Sequence, residues 1–495
     1  MPINIKERMS HGWRLRRLMW KLEARQADYK PLYERYENTA PMPEVLATAP
    51  EAAKAFFKAS RTDFAEMVVK AGLYPLRMQS VSTALDSSDV GDSEGFKILK
   101  RAGLFSEAPE VHRHSYICGN GYAMVGLYEN EPAYTCEDPR QVVTMHDPVR
   151  QQVIIEGAKR YWDDSEGREY IVMYHRRTRE WPNGRMWRAY HNALSQPSGK
   201  FTPATWDWDD QDPWGGVEGV DMPHEFDGEV PFLRYRDEEG VGEFQRHIDV
   251  LDRIDHIVLQ GMVIATLQAF KQRAIHVSDE DLPEKDEQGN DIDYNAVFTL
   301  DPGALWKLPE TAKMWESGAV DGRWVWEASE KELQKLSAVT FTPLSMYTKE
   351  GQNQAAEGAR FAREARTMKV EDRQDRFGAV HERAAAMLFH LAGEAQRADV
   401  GSLSIVWRPA ERYSLQDKAD ALVKYKAGGV PWRTRMIVVG QFTPAEVERM
   451  ATERMADEVL FGAEASGTAA ELAAGDSQAS AGTVPGQQQQ AAAAA

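Results

Sequence analysis

The sequence has few of the features that usually betray a biochemical activity. It holds two cysteines in 495 residues, Cys118 and Cys136. That excludes a disulfide framework, fits a reducing compartment, and leaves two buried thiols in strand-like segments as the expectation. No apolar run approaches the ~18 residues a membrane helix needs. The basic N-terminus lacks a continuous apolar stretch and does not read as a signal peptide. Positive charge is in deficit: 59 Lys and Arg stand against 77 Asp and Glu, a net charge of -18. That argues against a protein that grips nucleic acid by a basic face. No Gly-x-x-x-x-Gly-Lys-Ser/Thr loop is present, which excludes a recognisable phosphate-cradling motor. Gly119-Asn120-Gly121 lacks a third glycine and reads as a turn. His112 and His114 are followed by no second pair at zinc spacing. No Gly-x-Ser-x-Gly elbow occurs, and the acidic pairs Asp163-Asp164 and Asp209-Asp210 sit beside turn residues as solvated carboxylates. No catalytic residue, metal site or cofactor is expected.

What remains is patterning. At 42% hydrophobic residues the chain can bury a sizeable core, and its length allows two to four domains. Residues 5–35 read as an amphipathic helix, with Trp13, Leu15, Leu18, Met19 and Leu22 set among Arg14, Arg16, Arg17, Lys21 and Arg25. Its apolar stripe is expected to lie on the protein body. Residues 41–110 read as mostly helical, broken at Pro43, Pro50 and Pro75. From about 115 to 235 the period becomes two. Strands are predicted at Gly121–Tyr128, Gln141–His146, Val153–Tyr161 and Glu169–His175, with a tight hairpin at Asn183-Gly184. The tryptophan-rich stretch from Trp206 to Trp214 reads as a loop pinned on the sheet.

Residues 243–272 carry the strongest helical signal: Phe244, Ile248, Leu251, Ile254, Val258 and Met262 recur at three/four spacing, with further apolar residues on other faces. Such a helix needs cover on most sides, and at ~1.5 Å per residue it is roughly 45 Å long. Residues 277–322 interrupt it with Asp279, Glu280, Asp281, Glu284, Asp286, Glu287, Asp291 and Asp293, and with short strand-like pieces. Helix resumes from Trp324 to about Val339. Thr340–Gly351 is a loop bracketed by Pro343 and Gly351, and a very long mixed-charge helix runs from about Asn353 to Leu391. That charge reads either as solvation with i,i+4 pairing or as an inter-subunit face. A strand at Leu403–Trp407 and three short helices (Leu415–Lys426, Pro431–Val439 and Pro444–Phe461) follow. Beyond Gly462 the Ala, Gly, Ser and Gln composition cannot offset the entropy of ordering and is expected to be disordered.

The order of these features resembles the portal proteins of long-tailed bacteriophages. The resemblance rests on the strand Glu229-Val230-Pro231-Phe232-Leu233-Arg234-Tyr235-Arg236, the turn at Gly242, a helix carrying Asp249, Asp252 and Asp255, and the run Gln268-Ala269-Phe270-Lys271-Gln272-Arg273-Ala274. Gly119-Asn120-Gly121-Tyr122-Ala123-Met124-Val125 and Glu137-Asp138-Pro139-Arg140-Gln141 add to it. It covers roughly residues 30–460 and departs from the pattern in lacking a proline near Phe270.

The resemblance implies an α+β portal fold assembled as a homo-oligomeric ring, dodecameric in the virion. Residues 1–240 would form a wing, helical and then an antiparallel sheet. Residues 241–275 would be a first stem helix, 276–322 a clip, 323–340 a second stem helix, 341–352 a tunnel loop, 353–411 a long wing helix and strand, 412–461 a helical crown and 462–495 a disordered tail. Ile248, Leu251, Ile254, Val258 and Met262 would face neighbouring stems. Asp279, Glu280, Asp281, Asp286, Glu287 and Asp291 would dock the terminase large subunit and later the head-completion or adaptor protein. Thr342, Ser345, Tyr347, Thr348 and Lys349 would approach double-stranded DNA without reading its sequence. Other expected partners are the major capsid and scaffolding proteins, with assembly in the host cytoplasm and no membrane contact. A capsid or scaffold subunit is the first alternative, although a capsid protein lacks this succession of helix, acidic module, helix, loop and long helix. A soluble enzyme is the second.

Overall fold

The computed structural model describes residues 3, 5, 7–41, 51–62, 64–85, 91–192, 199–269, 273–276, 313–316, 318, 321–348, 356–411, 415–442 and 444–460. It is a mixed helix-and-sheet protein. Helix α1 spans His11–Tyr36, opened by Ser10, whose hydroxyl accepts from the Trp13 amide at 3.3 Å. Its two halves do different jobs. Leu15, Leu18, Met19 and Leu22 lie on one face of a sheet, together with Val143, Ile171, Met173, Trp187 and Ala189. Tyr29, Leu32, Tyr33 and Tyr36 enter the main core. The apolar stripe is on the body, as its spacing predicts, and each fully buried leucine contributes about 1.5–3 kcal/mol.

That sheet is antiparallel and contains β4 (Val142–His146), β5 (Ile154–Asp163), β6 (Arg168–His175), β7 (Arg185–Asn192), and the short β8 (Asp207–Trp208) and β9 (Val220–Asp221), both paired with β7. Side chains alternate along β6: Ile171 and Met173 face α1, while Val172 and Tyr174 face Tyr122, Val230 and Phe232. Tyr122 and Phe232 belong to a three-stranded sheet in the order β10 (Phe232–Arg236), β2 (Asn120–Tyr128), β3 (Glu131–Glu137). Trp206 and Trp208 are buried on the larger sheet, so the aromatic loop is pinned as expected.

The main core gathers α3 (Phe64–Leu73), β1 (Met78–Ser82), α5 (Leu104–Cys118), β2, β10, the long helix and β13 (Ser404–Trp407). Helices α2 (Glu51–Ser60) and α4 (Ser93–Arg101) flank it. Helix α6 (Ile248–Ala269) packs on α7 (Arg323–Thr340), and β11 (Arg273–His276) pairs antiparallel with β12 (Lys313–Glu316) at its far end. Helix α8 runs 36 residues, Ala356–Leu391. Helices α9 (Leu415–Ala427), α10 (Trp432–Val438) and α11 (Pro444–Leu460) follow.

Four local expectations are corrected. Residues 41–110 are not only helical, because β1 pairs antiparallel with β13, more than 320 residues away in the chain. Cys118 ends a helix rather than lying in a strand: α5 continues through Pro109 and stops only at Gly119, at φ +75°. Both cysteines are free, Cys118 buried and Cys136 half-buried. Asn183-Gly184 is not a two-residue hairpin. The Arg177 amide leaves the ladder to donate to Gly228 O, so the connection takes in residues 176–184. The helix predicted over 243–272 begins at Ile248, after a single 3-10 turn at Gln245–His247.

A buried polar chain locks α8 to the core. His112 Nε2 lies 2.8 Å from His381 Nε2, His381 Nδ1 lies 3.0 Å from Tyr235 Oη, and Tyr134 Oη donates to Tyr235 Oη at 2.9 Å. Burial holds His112 down to about 3 and His381 well below the ordinary imidazole range. The unfolded chain binds these protons below pH ~6.5 and the folded chain does not. The stability they confer is therefore complete above that pH and is lost as the pH falls toward 3, by about 1.4 kcal/mol per unit and imidazole. Urea unfolding at pH 7.0 and 5.0 checks this: the pair is expected to contribute a loss on the order of 2–4 kcal/mol, and His381→Phe to remove about half of that share, while the buried His114 and half-buried His146, both held down to about 4, add to the slope in wild type and variant alike.

Candidate functional site

The points at which sequence-predicted residues converge lie at the base of the α6–α7 pair. There the chain leaving β10 crosses the end of α5 in close backbone contact. The Asp237 amide donates to Gly119 O at 3.0 Å and the Glu243 amide to Tyr116 O at 2.8 Å. A Cβ on Gly119 would sit 2.1 Å from Gly240 C, and one on Gly242 would sit 2.0 Å from Ile117 O. Both positions admit only hydrogen, which gives the Gly119-x-Gly121 turn and the Gly242 turn their physical meaning.

Two cations from α8 enter this crossing. Arg373 pairs with Asp237 and, at 3.3 Å, with Glu243. Lys369 pairs with Glu243 and donates to Thr340 O, in the last turn of α7, at 3.0 Å. Side-chain exposure is 5% for Arg373, 1% for Asp237 and 3% for Glu243. Burial, then the Glu243 charge, pushes the Asp237 carboxyl up despite Arg373 and Lys369. The mixed charge of the long helix is therefore only partly solvation. Arg376–Asp372 is an i,i+4 pair at 2.8 Å, but Arg373 and Lys369 fasten the helix to the base of α6 and the end of α7. Four-residue spacing puts them on one face. Nothing in the sequence marks that face as buried, so the reading of α8 missed them.

The aspartates of α6 have a related role. Asp252 and Asp255 pair with Arg35 of α1, the latter at 3.1 Å, and Asp255 Oδ1 accepts from the Thr62 amide at 3.3 Å. Asp249 is exposed. Across the pair, Arg253 meets Glu332 at 2.9 Å, and Gly261 lets Val325 and Trp326 approach closely.

Of the residues expected to face a neighbouring stem, Leu251 and Ile254 are buried in the subunit's own core, Ile248 and Val258 pack against it, and Met262 is half-buried. The large apolar side chains left outward on the pair are instead Val263 (37% exposed), Trp324 (52%), Trp326 (53%) and Val339 (44%). In the loop, Phe341 turns the chain at φ +54°, outside the usual range for an aromatic residue. The Thr342 amide donates to Ser337 O at 3.1 Å, and Ser337 Oγ donates to Thr342 O at 2.7 Å. Thr342 is buried, the Tyr347 ring lies 5.7 Å from that of Phe64, Thr348 is half-buried and Ser345 is exposed. Lys349 and the acidic set Asp279, Glu280, Asp281, Asp286, Glu287 and Asp291 lie outside the described residues, as does the 462–495 tail. Among the described residues no cluster of His, Cys, Asp and Glu could hold a metal ion, and no helix is long and apolar enough to cross a membrane.

Removing the central cation strands the buried Asp237 carboxylate, while Glu243 keeps Lys369. Arg373→Ala is expected to cost about 3–5 kcal/mol, read as a lower urea midpoint, whereas Arg376→Ala, on the exposed side of the same turn, is expected to cost under about 1 kcal/mol.

None of the curated proteins matches this chain. Among solved structures it is similar to a chain of the neck of an empty gene transfer agent (GTA) particle, computed with C6 symmetry. The TM-score is 0.43, with 11% identity over 79% of this chain and 94% of that one. It is similar also to a chain of the virion of a native GTA particle, with a TM-score of 0.40 and 12% identity over 83% of this chain and 99% of that one. A family model described as "Phage portal protein, SPP1 Gp6-like" matches residues 80–459. That span runs from β1 to the last turn of α11 and includes the crossing, the α6–α7 pair and the long helix. The chain belongs to this phage portal protein family, a family of structural proteins of the virion.

Proposed function

We propose that the protein assembles into a closed ring, dodecameric in the virion, at one capsid vertex, through which DNA is packaged and ejected. The observation that carries this reading is the apolar surface left open on the α6–α7 pair: Val263 on α6, and Trp324 and Trp326 on α7, each tryptophan more than half exposed and, two residues apart on a helix, turned to different sides. Large apolar side chains left exposed mark interaction sites, and exposure on more than one side suits a neighbour on each flank. A second copy, turned about a ring axis, covers them without any other partner. In this arrangement α6 and α7 are the stem and residues 276–322 the clip that docks the terminase large subunit and then the head-completion protein. The α9–α11 helices form the crown, and the wing meets the major capsid protein and, during assembly in the host cytoplasm, the scaffolding protein.

The net charge of -18 suits a conduit. Duplex DNA carries one negative charge per ~1.7 Å, so an acidic wall repels it and lets it slide. Residues 341–352 form the tunnel loop, held at its first turn by the Ser337–Thr342 bonds. Ser345 and Lys349 are its DNA-facing members, while Thr342 and Tyr347 support it from behind.

Native mass measurement and electron microscopy of the purified protein test the ring. The wild type is expected to give a ring with a central hole, and the double variant Trp324→Ser, Trp326→Ser to shift at least tenfold toward subunits. Shells or rods would instead indicate a capsid or scaffold subunit. A photoreactive group at position 349 in DNA-filled particles is expected to label DNA, and labelling of protein alone would remove Lys349 from the channel.

A further inference from the structure

Two patches away from the α6–α7 pair have no cover, and they are opposite in charge. The first is on α1. Leu15, Leu18, Met19 and Leu22 turn to the larger sheet, which leaves Trp13, Arg16, Arg17 and Trp20 outward as one stripe at three/four spacing. Trp20 is 71% exposed. Arg17 lies over the Trp13 ring, 5.0 Å from its centroid, and meets Glu156 at 2.7 Å. Arg16 is exposed and, among the described residues, has no carboxylate within ion-pair distance. Two carboxylates that reach this half of the helix are already engaged: Glu156 holds both Arg14 and Arg17, and Glu23, on the flank, accepts from the Phe201 amide. Just before the helix, Glu7 and Arg8 contribute one charge of each sign. The second patch is the tip of the β2–β3 hairpin. Its turn, Glu129-Asn130, holds both residues at positive φ, +51° and +67°, the geometry of a tight two-residue connection. Tyr128 is 72% exposed and Leu127 40%. Glu129 and Glu131 are exposed, and the stretch from 120 to 137 contains no Lys or Arg. Among the described residues neither carboxylate has a cation within ion-pair distance. One patch thus offers indoles and a free guanidinium, the other a phenol and two free carboxylates.

We propose that the hairpin tip of one subunit docks on the α1 stripe of the next subunit around the ring. The inference rests on the ring reading above and adds a contact separate from the tryptophans of α7. The two patches leave the subunit on different sides. The first half of α1 covers the face of the larger sheet that carries Ile171 and Met173, whereas the three-stranded sheet covers the opposite face, with Val172 and Tyr174. From Tyr122↔Glu137 at its base to Tyr128↔Glu131 at its tip the hairpin reaches roughly 20 Å. With Trp20 and Tyr128 both more than two-thirds exposed, neither covers the other within one subunit. A contact between unlike patches runs head to tail: each subunit gives its tip to one neighbour and its stripe to the other. Such contacts close into rings, whereas a like-with-like contact stops at a pair. Charge selects the unlike pairing. Stripe on stripe sets Arg16 against Arg16, and tip on tip sets Glu129 and Glu131 against their equals, so tip on stripe alone relieves both. The aromatic centre of Trp20 and Tyr128, edged by arginine, also has the composition that carries binding energy at protein interfaces.

Cross-linking of the full-length assembled protein tests the proposal. Trp20→Cys and Tyr128→Cys each replace an exposed side chain, and a short bismaleimide joins the two thiols. A chain carrying both is expected to give a ladder of covalent species that runs past the dimer toward the full ring. Each single variant, with only the native Cys118 and Cys136 besides, is expected to stay at one subunit. Charge exchange is the second arm. Arg16→Glu, and separately the tip variant Glu129→Lys, Glu131→Lys, are each expected to raise the concentration at half-assembly at least threefold with an unchanged melting temperature. Their combination in one chain is expected to return it to within twofold of the wild type. Rings in the native mass measurement without a ladder, or losses that add in the combined chain, overturn the inference and leave the ring reading intact. A wild type that stays monomeric overturns both. Dimers from Trp20→Cys alone would show a like-with-like contact, and cross-linking of Trp20→Cys to co-assembled capsid protein would assign the stripe to that protein. Either result overturns the tip-on-stripe contact.

Discussion

Arg373 stands where three parts of the chain meet, and its charge is what lets them meet. The carboxylates of Asp237 and Glu243 are carried into the interior by a backbone crossing so tight that Gly119 and Gly242 tolerate no side chain. Two acids at that depth are strongly unfavourable without a partner. Lys369 and Arg373 supply it, and in doing so they fix the rotation and register of a 36-residue helix. Through the Thr340 carbonyl the same lysine also fixes the end of α7. The α6–α7 pair, the loop after it and the main core thus share one electrostatic anchor.

Much of this architecture is legible in the sequence because it is periodic. The three/four spacing of Leu251 and Ile254 gives α6, the alternation along Tyr170–Tyr174 gives β6, and Pro343 marks the break after α7. The misses share a cause. β1 is five residues whose pairing partner lies at 404–407, so no local pattern reports it. β3 is marked in the sequence only around Cys136, because it also carries Pro132 and an exposed Glu131 at a sheet edge, where solvent rather than packing decides composition. Cys118 was read as strand because the period changes nearby, yet Gly119 ends the helix one residue later.

The site residues show the same division. Spacing identifies which residues of α6 are apolar but not which neighbour covers them. Leu251 and Ile254 turn out to be covered within the subunit, while the tryptophans at the start of α7 stay outside. Buried ion pairs are harder still. Lys369 and Arg373 sit among similar residues on a helix of mixed charge, and only the arrival of Glu243 and Asp237 from a distant loop sets them apart.

The antiparallel pairing of β1 with β13 has a consequence for synthesis. The main core is discontinuous: residues 78–82 must wait for residues 404–407, with the whole α6–α7 pair made in between. At typical elongation rates of ~5–20 residues per second, that wait is on the order of tens of seconds. During it, the inward side of β1 and the faces of α3 and α5 that later meet α8 have no cover, and such high-contact-order pairing is intrinsically slow. The nascent subunit therefore carries exposed apolar surface through most of its translation. The α6–α7 pair likewise receives its anchor at Lys369 and Arg373 only after both of its helices have been made.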